Sequence, residues 1–346
     1  MLRLTLICLT LLFSSFALAA GNIRPPSHMI SGVTQYSQVT GLMCGPGALE
    51  SVLDYYGPDI SPRAISNVAR TSSMGTYVQD IVRTGHFSKL SAAQGRFYPN
   101  AIPKAGFAER PLGYAAFGHA QDTPWLEELK NLVAQDIPVI MLMLFSPDPD
   151  SGGHYRVLVG YDDTLGEAYF IDPWGRDLKH VTNADGTITW TYRDVVTAWN
   201  YPQYGTPLPY FAAAIMPWKV DVTIEGAIEV GNQVTVTANT HYPCPQPFNC
   251  SSYPAAASSL ILDLPPSMRL ITRNSDIAIG NLPAGGSATA SWRVAIDAQP
   301  NGQALAVTGS GTVSGWMPEA HWAGDKVYYP AYVYDDRIGG RAELKF

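Results

Sequence analysis

From Lys219 onward the chain shows no helical period, and this change of period constrains the fold more than any other feature. Val220-Asp221-Val222-Thr223-Ile224 and Gln233 to Ala238 alternate apolar and polar residues, as strands with one buried face do. Ser259 to Leu264, Ser287 to Ile296 and Gln303 to Gly309 continue the series between Pro/Gly turns. The spacing predicts an all-β sandwich of immunoglobulin-like type over residues 219–346. Asp335-Asp336 followed by Gly339-Gly340 reads as a turn within it.

Upstream the periods are mixed. Ala48, Leu49, Val52, Leu53 and Tyr56 recur at helical spacing, with Pro46 in the first turn and Gly57-Pro58 as the stop. Further helices are predicted from Ser61-Pro62, over Tyr77 to Thr84, and from Thr123-Pro124 with Leu126, Leu129, Leu132 and Val133 on one face. Ile137 to Phe145 is a continuous apolar run, the mark of a strand buried on both sides. His154 to Tyr161, Glu167 to Asp172 and Phe211 to Met216 complete the strands, while 21–40 and His86 to Gly118 give no regular signal. Helices precede strands, so residues 21–218 are expected to form an α+β domain.

The first twenty residues read as a processing signal: Arg3, an apolar stretch from Leu4 to Phe16, and Ala17-Leu18-Ala19 as a small-residue cleavage motif near Ala19 or Ala20. That stretch is too short to span a bilayer, so the expectation is a secreted or periplasmic protein with no transmembrane anchor. Apolar residues make up 46% of the 346, charged residues only 15%, which suits a globular chain. The net charge of -7, with no run of Lys or Arg, argues against a nucleic-acid partner. Cys8 would leave with the signal. Cys244 and Cys250 flank a short Pro-rich loop and are expected to form a disulfide, worth roughly 2 kcal/mol on the chain-entropy account. Cys44 is then left unpaired.

A nucleophilic thiol must become a thiolate near neutral pH, and a helix N-terminus helps by favouring negative charge. Cys44 stands at such a start, and Gly45 and Gly47 beside it are expected to leave room for a substrate backbone. The base should be a histidine held by a third group. His154 begins one strand and Asp172 ends the next; if the two pair as a hairpin with residue numbers summing to 326 or 328, both side chains share a face, whereas a one-residue slip would separate them. His86, His119 and His180 lack that setting and are minor candidates.

Together Gln38, Cys-Gly-Pro-Gly-Ala-Leu at 44–49, Tyr55-Tyr56-Gly57, Gly-His-Tyr-Arg-Val-Leu-Val-Gly-Tyr-Asp at 153–162 and Ile-Asp-Pro-Trp-Gly at 171–175 resemble the bacteriocin-processing (double-glycine leader) peptidase family, a group of papain-like cysteine peptidases. The resemblance covers roughly residues 30–218. It is closer to stand-alone, secreted members than to transporter-linked ones, which are cytoplasmic and fused to membrane segments. It implies Cys44 as nucleophile, His154 as general base, Asp172 as orienting acid and Gln38 as oxyanion donor alongside the backbone N–H of Cys44. The expected chemistry is amide hydrolysis on a peptide or protein substrate, with no metal or organic cofactor.

Two other functions fit the same residues: a peptidoglycan amide hydrolase, and an idle peptidase-like fold serving as a surface binding module. The cysteine spacing does not match a zinc site, and the Asp148, Asp150 stretch lacks the full calcium-loop pattern. Trp316, Trp322, Tyr328, Tyr329, Tyr332 and Tyr334 read first as strand residues filling the sandwich and its contact with the first domain, and second as a cell-surface or carbohydrate platform.

Overall fold

The computed structural model describes residues 24–89, 91, 110–175, 183, 185–202, 208–322 and 327–346; the segment read as a signal, His180 and much of 86–118 lie outside these. In chain order the first part runs β1 (Ser27–Met29), α1 (Cys44–Tyr56), α2 (Pro62–Val68), α3 (Val78–His86), β2 (Ala115–His119), α4 (Leu126–Val133), β3 (Val139–Leu144), β4 (Gly153–Asp162), β5 (Glu167–Ile171), β6 (Ile188–Thr191), α5 (Tyr192–Trp199) and β7 (Ala212–Met216). The seven strands form one antiparallel sheet in the order β2-β7-β3-β4-β5-β6, with β1 on β4. β3 is buried at every position, as its apolar run requires. α1 packs across β4 and β3, and α3 against β2.

Local chemistry sets several element starts. Ser61 accepts the N–H of Ala64 at 3.3 Å with Pro62 at the first helical position, which fixes the start of α2. Thr191 does the same for α5 through Asp194 at 3.2 Å. β1, β2, β6 and α5 were not legible in the sequence. The first three are only three to five residues long, too short to show a period.

The second part comprises β8 (Lys219–Glu225), β9 (Gln233–His241), β10 (Ala255–Asp263), β11 (Met268–Leu270), β12 (Asp276–Leu282), β13 (Ser287–Ile296), β14 (Ala304–Met317), β15 (Ala320–Trp322), β16 (Val327–Tyr329) and β17 (Tyr332–Lys345). Two four-stranded antiparallel sheets, β12-β10-β14-β17 and β11-β13-β9-β8, share a core that includes Val236, Trp292, Leu260 and Val307. Cys244 and Cys250 are joined by a disulfide.

Asp335-Asp336 and Gly339-Gly340 do not form a turn; they lie in the interior of β17. The glycines serve close backbone approach: a side chain at Gly339 would collide with the Gly309 carbonyl, and one at Gly340 with that of Trp218. Asp336 is buried, pairs with Arg83 of α3 and accepts a hydrogen bond from Ser91.

That pair belongs to a buried junction between the two parts. Tyr242, Phe248 and Ile338 fall in the same apolar core as Phe117 and Leu129. Arg83 also lies over the Tyr334 ring at 4.2 Å, and His86 Nδ1 meets the Tyr334 hydroxyl at 3.0 Å. Arg70 pairs with Asp80 and donates to the Pro318 carbonyl at 3.1 Å. Tyr329 and Tyr334 are buried here, whereas Trp316 is 63% exposed.

Candidate active site

Cys44 is the first residue of α1, so its N–H is among those a helix start leaves without an intrahelical partner. It is a free, buried cysteine. The glycines beside it do not open room for a substrate. A Cβ on Gly45 would stand 2.7 Å from the Thr76 Cβ, and one on Gly47 2.8 Å from the Pro173 Cβ. The helix start is thus held between the 71–76 and 172–175 loops, and internal packing consumes the space that the two glycines create.

His154 projects from the start of β4, and its Nε2 bonds Asp172 Oδ1 at 2.8 Å. That leaves Nδ1 as the ring nitrogen for Cys44. Near the hairpin turn the strands pair as Tyr161 with Ala168, a sum of 329; beyond a bulge at Val159 they pair as Leu158 with Phe170 and Val157 with Ile171, a sum of 328. The parity matters because side chains alternate faces. Without the bulge Asp172 would stand opposite Val157, on the face away from His154. With it, Asp172 comes opposite Arg156 and diagonal to His154.

Arg156 is the residue that reading the sequence missed. Its Nε donates to Asp172 Oδ2 at 2.5 Å, and its Nη1 and Nη2 donate to the carbonyls of Leu144 (3.1 Å) and Phe145 (2.7 Å). The guanidinium is fully buried between Phe145 and Trp190. The available signal was its position two residues from His154, hence on the same face, inside an otherwise apolar strand. The backbone N–H of Trp174 gives Asp172 a further bond at 2.8 Å.

These contacts set the charges. Burial alone would raise the Cys44 thiol, but the hydrogen bond and charge of His154, with the N–H groups of Tyr155 and Gly45, hold it below its ordinary value. Burial likewise opposes a charged His154, yet Asp172 and Cys44 raise its pKa. Asp172, despite burial, is brought down to about 2 by the His154 bond and the Arg156 charge. Both shifts move the balance toward a thiolate–imidazolium pair.

Gln38 lies beside the site, its backbone N–H bonded to the Pro173 carbonyl at 2.7 Å. Its side-chain Nε2 donates one N–H to the Thr40 carbonyl at 2.7 Å, leaving the second N–H for another acceptor. Phe145 packs edge-on against the imidazole at 5.1 Å, and Trp174 packs against Phe145 at 5.5 Å. Of the other histidines, His86 is buried in the junction, where burial and Arg83 lower its pKa to about 3, and His119 bonds Gln121. Asp148 and Asp150 are tied within their own turn.

Residues 30–204 match the Peptidase_C39 like family. Similar solved structures include the peptidase domain of Streptococcus ComA, a bi-functional ABC transporter involved in quorum sensing, at 17% identity over 54% of this chain and 99% of that one, with a TM-score of 0.36. Xylellain, a cysteine protease from Xylella fastidiosa, aligns at 16% identity over 56% and 86% with a TM-score of 0.38. A double glycine motif protease from an AMS/PCAT transporter, in complex with the leader peptide, aligns at 17% over 54% and 91% with a TM-score of 0.33. Among curated proteins none matches. The family match spans half of the 346 residues, and the chain belongs to the Peptidase_C39 like family of papain-like cysteine peptidases.

Proposed function

We propose that this protein is a secreted thiol peptidase that hydrolyses peptide or isopeptide bonds, with Cys44 as nucleophile, His154 as general base, Asp172 as orienting acid and Gln38 as oxyanion donor. The observation that carries this reading is the thiol of Cys44, held below its ordinary value in a buried setting by a histidine that Asp172 anchors at 2.8 Å. The thiolate attacks the substrate carbonyl. The second N–H of Gln38 and the backbone N–H of Cys44 stabilise the oxyanion. His154 protonates the leaving amine, then draws a proton from the water that hydrolyses the thioester.

Secretion is supported by the Cys244–Cys250 disulfide, which persists in oxidising compartments. The two facing sheets of the second part, with Trp292 buried between them, support the immunoglobulin-like assignment. Trp316 and Val333, cross-strand neighbours 63% and 69% exposed, are where a cell-surface contact would be made. The test is a peptide and isopeptide substrate screen comparing the protein with Cys44→Ala. Turnover lost in the variant supports the reading, and equal turnover in both overturns it.

A further inference from the structure

α1 carries a second feature besides Cys44. Glu50 and Asp54 stand one helical turn apart on the same face, and Asp59 follows just beyond the helix end. One carboxylate oxygen from each lies within 4.8 Å of the others. Asp59 is exposed, Asp54 half-buried and Glu50 only 3% exposed. Glu50 Oε2 is buried and meets no hydrogen-bond donor among the described residues, while the Tyr36 hydroxyl approaches the Asp54 carboxylate. Asp54 Oδ1 accepts the N–H of Ile60 at 3.1 Å.

Among the described residues no ion pair is made by Glu50. Asp54 lies near the C-terminal end of α1, where the helix dipole disfavours an anion. A buried carboxylate aimed at two others, with an oxygen left unbonded, is the arrangement a cation completes.

We propose that Glu50, Asp54 and Asp59 bind one divalent cation in an all-oxygen shell, calcium in preference to magnesium. Carboxylate oxygens suit hard cations, and no sulfur or imidazole joins the group to favour zinc or copper. Calcium–oxygen distances of about 2.3–2.6 Å let two ligands of one ion stand roughly 5 Å apart, whereas magnesium, at about 2.0–2.1 Å, draws them within about 4.2 Å. Oxygens no more than 4.8 Å apart fit within the calcium span, and a three-carboxylate shell suits calcium, since magnesium usually keeps several waters and takes only one or two carboxylates. The ion would tie the C-terminal half of α1 to the turn at Gly57–Ile60. It would sit roughly 9–15 Å along the helix from Cys44, so it stiffens the element that seats the thiol and takes no part in acyl transfer.

The test is calorimetric titration of EDTA-treated protein with calcium chloride at neutral pH, with tyrosine-sensitised terbium luminescence as a second probe, since the Tyr36 hydroxyl lies against Asp54. One equivalent should bind calcium at least tenfold tighter than magnesium, and calcium should raise the melting temperature by several degrees, about the shift expected at a hundredfold excess over Kd. Glu50→Gln should bind calcium at least tenfold more weakly, yet melt higher than the parent protein in EDTA because it removes repulsion. A purely structural Glu50 would not give that crossed result. No heat and no terbium emission at millimolar ion, or unchanged calcium affinity in Glu50→Gln, overturns the site; equal affinity for magnesium overturns the calcium preference.

Discussion

Arg156 and Asp172 stand opposite each other across the β4–β5 hairpin, with Nε 2.5 Å from Oδ2 while His154 holds the other oxygen. One buried carboxylate thus serves a fixed cation and a base. Arg156→Met should leave that carboxylate without its counter-ion and cost about 3–5 kcal/mol in urea unfolding. Arg156→Lys should recover only part of it, because one ammonium cannot reach Asp172 and the carbonyls of Leu144 and Phe145 with the geometry of a planar fork.

The shifts at Cys44 and His154 predict the pH dependence of reactivity. The thiol is lowered and the imidazole raised, so thiolate and imidazolium each gain over their neutral forms. Iodoacetamide should alkylate Cys44 well below the ordinary thiol range of about 8.5. In His154→Ala the rate should rise only near or above that range, because burial remains and the cation is gone. Identical profiles for the two proteins would rule out the pair.

Asp172 should make stability depend on pH in the acid range. Its folded pKa is depressed to about 2, mainly by the His154 bond and Arg156 against the opposing effect of burial. The unfolded value is about 3.9, so the contribution is fully present above that pH and lost as pH falls through 2. It amounts to about 2.6 kcal/mol. Unfolding free energy measured between pH 4 and 2 should fall more steeply for the parent than for Asp172→Asn.

Gln38→Ala separates an oxyanion role from a structural one. Loss of a donor to the transition state should lower kcat by about 10²–10³ with little change in KM. If the Thr40 hydrogen bond is the only role of this side chain, the variant should lose melting temperature and keep kcat.

The junction should be sensitive to single changes. Asp336→Ala removes the carboxylate that pairs with the buried Arg83 and should destabilise by about 3–5 kcal/mol. Residues 24–218 expressed alone would expose the faces that Tyr242, Phe248 and Ile338 cover, and should lack near-ultraviolet circular dichroism.

The shared face of His154 and Asp172 was legible because both end strands of one hairpin and side chains there alternate with period two. The sum of 328 at the site falls inside the range that the residues allowed. What could not be read was the bulge at Val159, which lets the hairpin turn with one register and reach the site with another. Arg156 lay in plain view but was read as an ordinary strand residue, since its burial depends on Phe145 and Trp190 arriving from elsewhere. Gly339 and Gly340 have turn composition, and only the backbones they admit make them strand. Glu50 and Asp54 vanished into the helical period, which records spacing and says nothing of three carboxylates meeting.

The placement of β17 has a consequence in time. Asp336 meets Arg83 across 253 residues of sequence, and Ile338 bridges to Gly113. During synthesis Arg83 of α3 therefore waits for Asp336, a partner translated long after it. Cys44, His154 and Asp172 all leave the ribosome well before the strand that completes the packing around α3. Catalytic competence should arrive as one late event, and a chain interrupted before Tyr332 would carry every reactive group yet lack the scaffold that holds them.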